Sequence, residues 1–231
     1  MQQSFGQQVI DYTKAFRPDW DLPEGFNLLF PYGQKETMNA VITFYTKFFS
    51  DHNERTFLFG INPGRFGSGI TGISFTDPFF LEETCEIANK FDKKKELSSI
   101  FINDVIMAFG GPKVFYEKFY ITATSHLGFL KDGKNINYYD DKKLQEAVLP
   151  HIIQNIETQI QFGANRKVAY SIGKGTNYKF LVSLNKKHHF FDEILPLPHP
   201  RWVLQYRRKT KDSYVDEYLE KLSNGLKHSG A

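Results

Sequence analysis

RTFLFGI at residues 55–61 and RKVAYSIG at residues 166–173 are short, continuously apolar at their centres, and end at or beside a glycine. Runs of this kind suit strands buried on both faces of a sheet. Between and around them lie longer stretches whose apolar residues recur at helical spacing: TMNAVITFYTKFFSDH, DPFFLEETCEIANKF, KGTNYKFLVSLNKKH and SYVDEYLEKLSNGLKH. In the second of these, Asp77 is placed to cap the helix and Pro78 to open it. A further long helix, YDDKKLQEAVLPHIIQNIETQIQFG, carries Pro150, which is expected to bend or split it. LSSIFINDVIMAFGG and KFYITATSHLGFL read as further strands, and FDEILPLPHPR as an extended run into a proline-rich turn. Strands that alternate with helices predict an α/β fold with a mainly parallel sheet covered on both faces. The first 55 residues read as helices and loops of the same unit, and no linker divides the chain, so one domain over 1–231 is expected.

In open sheets of this kind ligands bind beyond the carboxyl ends of the strands. Two unusual segments, 60–75 and 198–209, lie directly after predicted strands. Composition narrows what they can do. The single cysteine, Cys85, excludes an internal disulfide, an all-cysteine metal cage and an iron–sulfur cluster. No apolar run is long enough to cross a bilayer, and the N-terminus lacks the basic-then-apolar pattern of a signal peptide, so an intracellular protein without membrane contact is expected. The net charge of +3 does not by itself specify nucleic acid; the placing of the charge has to decide.

The first unusual segment, GINPGRFGSGITGISF, sets five glycines around Asn62 and Arg65. Glycine lets the backbone approach a ligand closely. The string fits neither GxxxxGK[ST] nor a GxGxxG that leads into a helix, so the two common phosphate loops are poorly supported. It resembles the first motif of the single-strand-selective monofunctional uracil-DNA glycosylases, close to GMNPGPFGMAQTGVPFG. Asn62, Pro63, Gly64, Phe66, Gly67, Thr71, Gly72 and Phe75 match in register, Arg65 stands where that family usually has proline, and Asp77 where it commonly has glutamate. The family's second motif, HPSPRN-like, is met by His199 and Pro200 and then departed from in LPLPHPRWVLQYRRK; FYITATSHLGFL resembles its middle segment. The resemblance implies a three-layer α/β/α fold with a central, mainly parallel four-stranded sheet, and a monomeric enzyme that needs no metal or other cofactor.

It also implies roles. A damaged base is flipped out of DNA and its glycosidic bond is hydrolysed without a lyase step. Asn62 would position the attacking water and His199 would donate a hydrogen bond to O2 of the departing base. Ile61, Gly64 and Phe75 would contact that base, with the Phe75 ring stacked on it. Ala123 stands where the family has the asparagine that reads the edge of uracil. Ser125, two residues on, would share a strand face with it and could substitute, which predicts a broader base range that includes xanthine or hypoxanthine. Arg201, Arg207, Arg208 and Lys209 read as phosphate contacts, and the wedge that fills the vacated base position falls to Arg201, Gln205 or Arg207. The runs KFDKKKE and NKKHH read as helix surfaces. Three other readings stay open on the residues: a DNA-binding module without chemistry, a hydrolase of free nucleosides, and a metal site at His188, His189, Asp192 and His199, whose spacing matches no strong ligand signature.

Overall fold

A computed structural model describes residues 2–229. Its centre is a four-stranded sheet of β2 (Arg55–Gly60), β3 (Phe119–Ala123), β6 (Ala164–Ile172) and β7 (Glu193–Leu197), in the order β3-β2-β6-β7, every pairing parallel. Parallel strands need crossovers. These come from α4 (Leu97–Ala108) with α5 (Pro112–Tyr116), α6 (Lys142–Ile160) and α7 (Thr176–His188). A short α3 (Ser68–Thr71) follows β2 within the first of these crossovers, and among the described residues four more α-helices lie outside them: α1 (Phe5–Ala15) and α2 (Lys35–Phe48), which pack on each other, the short α8 (Pro200–Tyr206) and the closing α9 (Lys211–Ser229). The sheet therefore sits between helical layers, as the alternation predicted. All six positions of β2 are buried, with Phe57 and Phe59 at 1% exposure or less. Each such side chain contributes about 1.5–3 kcal/mol relative to an exposed one. Phe5 of α1 packs edge-on against Phe57 and Tyr120, which ties the N-terminal helices to the same core. No helix among the described residues is long and apolar enough to cross a membrane.

Three expectations are corrected. LSSIFINDVIMAFGG forms α4, not a strand: burial recurs at Ser98, Phe101, Ile102, Val105 and Ile106, a helical stripe that the surrounding apolar residues hide in the sequence. The helix expected over 77–91 lasts only through a π-helical turn, Phe80–Thr84. Asp77 does cap it, Oδ1 accepting from Phe80 N–H at 2.8 Å, but Glu86 at φ 53° ends it and residues 86–96 run as an open loop. KFDKKKE is thus loop, not helix surface. Finally, of the bend or split expected at Pro150 the split does not occur: α6 runs unbroken through it, because that residue and Glu146, whose carbonyl loses its partner, both face solvent.

A second sheet was not foreseen. β1 (Phe26–Leu29), β4 (Gly128–Lys131) and β5 (Lys134–Ile136) pair antiparallel in the order β1-β4-β5. Asp132 and Gly133, at φ 50° and 69°, form the two-residue turn between β4 and β5. This hairpin carries Asn135, Asn137 and Tyr138 toward the mouth of the main sheet.

Candidate active site

Strand β2 ends at Gly60 opposite Ala123, the last residue of β3, and Asn62 follows two residues on. Strand β7 ends at Leu197, and His199 follows by the same two-residue step. β6 alone lies between β2 and β7, so two strand spacings, about 10 Å, separate the two chain paths. That gap is a cavity of about 140 Å³ whose walls include Asn62, Phe75, Ala123 and His199. The topology thus brings the amide and the imidazole to opposite sides of one space.

Each side chain is held by its neighbours. Asn62 is half-buried; its Oδ1 accepts from Tyr138 N–H at 3.1 Å and its Nδ2 donates to the carbonyls of Ile136 and Pro63 at 3.4 Å. The Tyr138 hydroxyl donates to Asn177 Oδ1 at 2.8 Å. Asn177 in turn donates to the Gly60 carbonyl and to Ser171, and accepts from Thr124. A buried polar network under the strand ends therefore holds both the Gly60 backbone that leads into Asn62 and the Tyr138 that bonds its amide.

His199 is the N-cap of a short helix, α8 (Pro200–Tyr206), and its Nδ1 accepts from Arg201 N–H at 3.2 Å. Burial, helped by the Arg201 charge, pushes the imidazole pKa down to about 4. The ring is neutral at pH 7, and with Nδ1 occupied as an acceptor its one proton sits on Nε2. Behind it Gly173 holds φ +126°, a conformation closed to most side chains, and a Cβ there would stand 3.4 Å from the ring.

Phe75 has φ 52°, in the left-handed region that bulky residues avoid at a cost of about 1–3 kcal/mol. Its ring lies against Gly60, where a Cβ would come within 2.7 Å of it. The backbone thus holds a bulky aromatic in a strained conformation at the cavity wall.

Of the residues expected to act together, the cavity gathers Asn62, His199, Ile61, Gly64, Phe75, Ala123 and Arg201. Ser125 is a correction. β3 stops at Ala123, so strand alternation no longer governs residue 125; the Ser125 hydroxyl is buried, donates to the Leu127 carbonyl at 2.8 Å, and does not line the cavity. Gln205, Arg207, Arg208 and Lys209 are exposed and also lie outside the lining. Gln205 shares a helix face with Arg201, four residues earlier on α8. The Arg207 guanidinium rests 5.1 Å from the Trp202 ring centre.

Six lining residues escaped sequence reasoning: Ser68, Ser74, Glu96, Ser98, Asn135 and Asn137. Burial, and then the charge of Asp77, holds the Glu96 carboxyl above its ordinary value against the opposing Arg201. The side-chain amide of Asn137 makes no hydrogen bond among the described residues. Asn137 does follow a D-G hairpin signal, KDGKNIN, which could have placed it.

Residues 46–223 match the family model of the uracil DNA glycosylase superfamily. Among solved structures the chain is similar to wild-type SMUG2 of Pedobacter heparinus, with 39% identity over 96% of this chain and 98% of that one and a TM-score of 0.94. No curated protein matches it.

Proposed function

The chain belongs to the uracil DNA glycosylase superfamily and is a uracil-DNA glycosylase, a hydrolase that acts on DNA; on that premise we propose that Asn62 and His199 carry the hydrolysis of a base extruded into the cavity between them. The supporting observation is that the two side chains, which stand 137 positions apart, line one space together with the Phe75 ring. As the C1′–N1 bond breaks, its electron pair leaves with the base and negative charge grows on O2. The His199 Nε2–H is the donor for that charge, and a neutral donor aimed at developing charge stabilises the transition state more than the ground state. The sugar cation is trapped by water: its oxygen bonds to C1′, one proton is released, and the base takes up a proton. Asn62 orients that water through the Oδ1 lone pair that Tyr138 leaves free; an amide suffices because bond rupture precedes attack. No lysine lines the cavity, which supports hydrolysis without a Schiff-base step.

Base choice follows from the empty place at Ala123. With Ser125 occupied elsewhere, the unpartnered Asn137 amide is the group offered to the base edge. It presents both a donor and an acceptor, so it suits the N3–H and O4 of uracil and also deaminated purines. Release of uracil, xanthine and hypoxanthine from oligonucleotides tests this. N137A should lower kcat/KM on uracil about 10-fold or more, the worth of a bidentate base contact; an unchanged value and uracil-only activity would count against the assignment.

A further inference from the structure

A second depression of about 520 Å³ adjoins the cavity. Phe66, Lys94 and Lys95 line its outer part, while Glu96, Asn135 and Arg201 belong to both spaces. Phe66 is 44% exposed, an unusual state for a large aromatic ring beside a binding cavity. Two cations attend that ring: the Arg65 guanidinium at 4.8 Å from its centre and the Lys94 ammonium at 5.9 Å. Arg65 is itself tied to the β4–β5 turn through the Gly133 carbonyl.

The charges of this groove are available. Of three consecutive lysines, Lys93 is spent on Glu82 at 2.7 Å, whereas Lys94 and Lys95 form no ion pair among the described residues. Lys95 rests on the Phe79 ring, 4.9 Å from its centre. The loop that carries them is fastened at its end, where Asp77 Oδ2 accepts from Glu96 N–H at 2.8 Å. Lys94, Lys95 and Arg201 thus share the walls of this groove with one acid, Glu96, whose carboxyl is turned toward Gly67 of the glycine loop.

We propose that this groove is the seat of the nucleotide adjoining the extruded one: its base stacks on Phe66, and the phosphate beyond it lies among Lys94, Lys95 and Arg201. The inference rests on the reading of the cavity as the site for an extruded base. The shared wall supports it, because Glu96, Asn135 and Arg201 stand between the cavity and the groove, so a strand whose one nucleotide occupies the cavity reaches the groove with its next. An exposed aromatic face with unpaired cations is the combination that holds single-stranded nucleic acid without choosing its sequence.

The test uses the full chain and a labelled single-stranded oligonucleotide with a non-cleavable 2′-fluoro-deoxyuridine, so that binding is read by anisotropy apart from base release. F66A should weaken Kd by at least about 5-fold, the low end of base–aromatic stacking, and F66Y should retain wild-type affinity. Replacing one neighbour of the deoxyuridine by an abasic sugar should cost wild type the same factor and cost F66A nothing more. K94A/K95A should reduce the slope of log Kd against log salt by about 0.7, the value for one neutralised phosphate on a single strand. The groove is overturned if F66A weakens intact and abasic strands equally, if it weakens neither, or if the slope does not change. Base release by wild type from the cleavable strand is scored separately. Its absence, with groove-dependent binding retained, would sink the glycosylase chemistry and leave the groove standing.

Discussion

The two ends of β2 are built to opposite specifications. At its start Arg55 is fully buried, yet every arm of its guanidinium is used: Nε to the Tyr116 carbonyl at 2.7 Å, Nη1 to the Asn53 carbonyl at 2.9 Å, and Nη2 to Asp51 Oδ2 at 2.9 Å. The rings of Phe5 and Phe49 close over it at 4.6 and 4.7 Å. Burial alone would raise the Asp51 pKa; hydrogen bonds from Arg55 and from Asn53 N–H outweigh it and hold the carboxyl below its ordinary range. Just past the other end, Asn62 is half-buried and faces a cavity, its amide held by bonds of 3.1–3.4 Å. Satisfied polarity anchors the strand, and polarity left open to a cavity lets it act. Stability and catalysis should therefore separate along one strand.

Substitution at the anchored end should give the largest effect. R55A leaves buried acceptors and the Asp51 carboxylate without their partner, which should cost about 3–5 kcal/mol in denaturant unfolding, with kcat per folded molecule unchanged. At the open end the pattern should invert. H199A should lower kcat about 10²–10³-fold while it costs only about 1 kcal/mol of stability, the worth of a helix cap.

The same histidine gives a pH signature. Its folded pKa, about 4, lies below the ordinary value of 6.5, so the neutral donor persists well into acid. The acid limb of kcat/KM should fall near pH 4, not near 6.5. The unfolded chain takes up this proton first, so His199's contribution to stability is fully present above pH 6.5 and is lost as pH falls toward 4. His126, buried and likewise pushed to about 4, acts with the same sign. Glu96 also lines the cavity with a raised pKa. An E96Q control should leave the limb in place, and a limb that vanished with E96Q would reassign it.

The smallest effect belongs to the tie that fastens the Glu96 loop beside the open end. D77A removes both the cap of the Phe80–Thr84 turn and the bond to Glu96 N–H. It should cost about 1–2 kcal/mol and raise KM for single strands more than it lowers kcat.

The regions also differ in how legible they were. The buried strands carried local signals, and Asn62 and His199 could be paired because each follows such a strand. Reading failed where placement depends on partners far along the chain. Ser125 was assigned by strand alternation, but β3 had already ended at Ala123. The α4 segment is apolar nearly all round, so its period was hidden. Glu96 and Asn137 reach the cavity from a loop and a hairpin that enter the site only through tertiary packing. The D-G turn at 132–133 is by contrast a local signal, present in the sequence itself.

The central claim is that Asn62 and His199 act as one unit on a base held between them. Single-turnover base release by N62A, H199A and the double variant, all shown to bind the strand, tests it most directly. Groups that act together are strongly non-additive, so each single variant should lose about 10²-fold or more and the double little beyond the worse single. Rates that stay close to wild type in both singles, or losses that multiply fully in the double, would contradict the account.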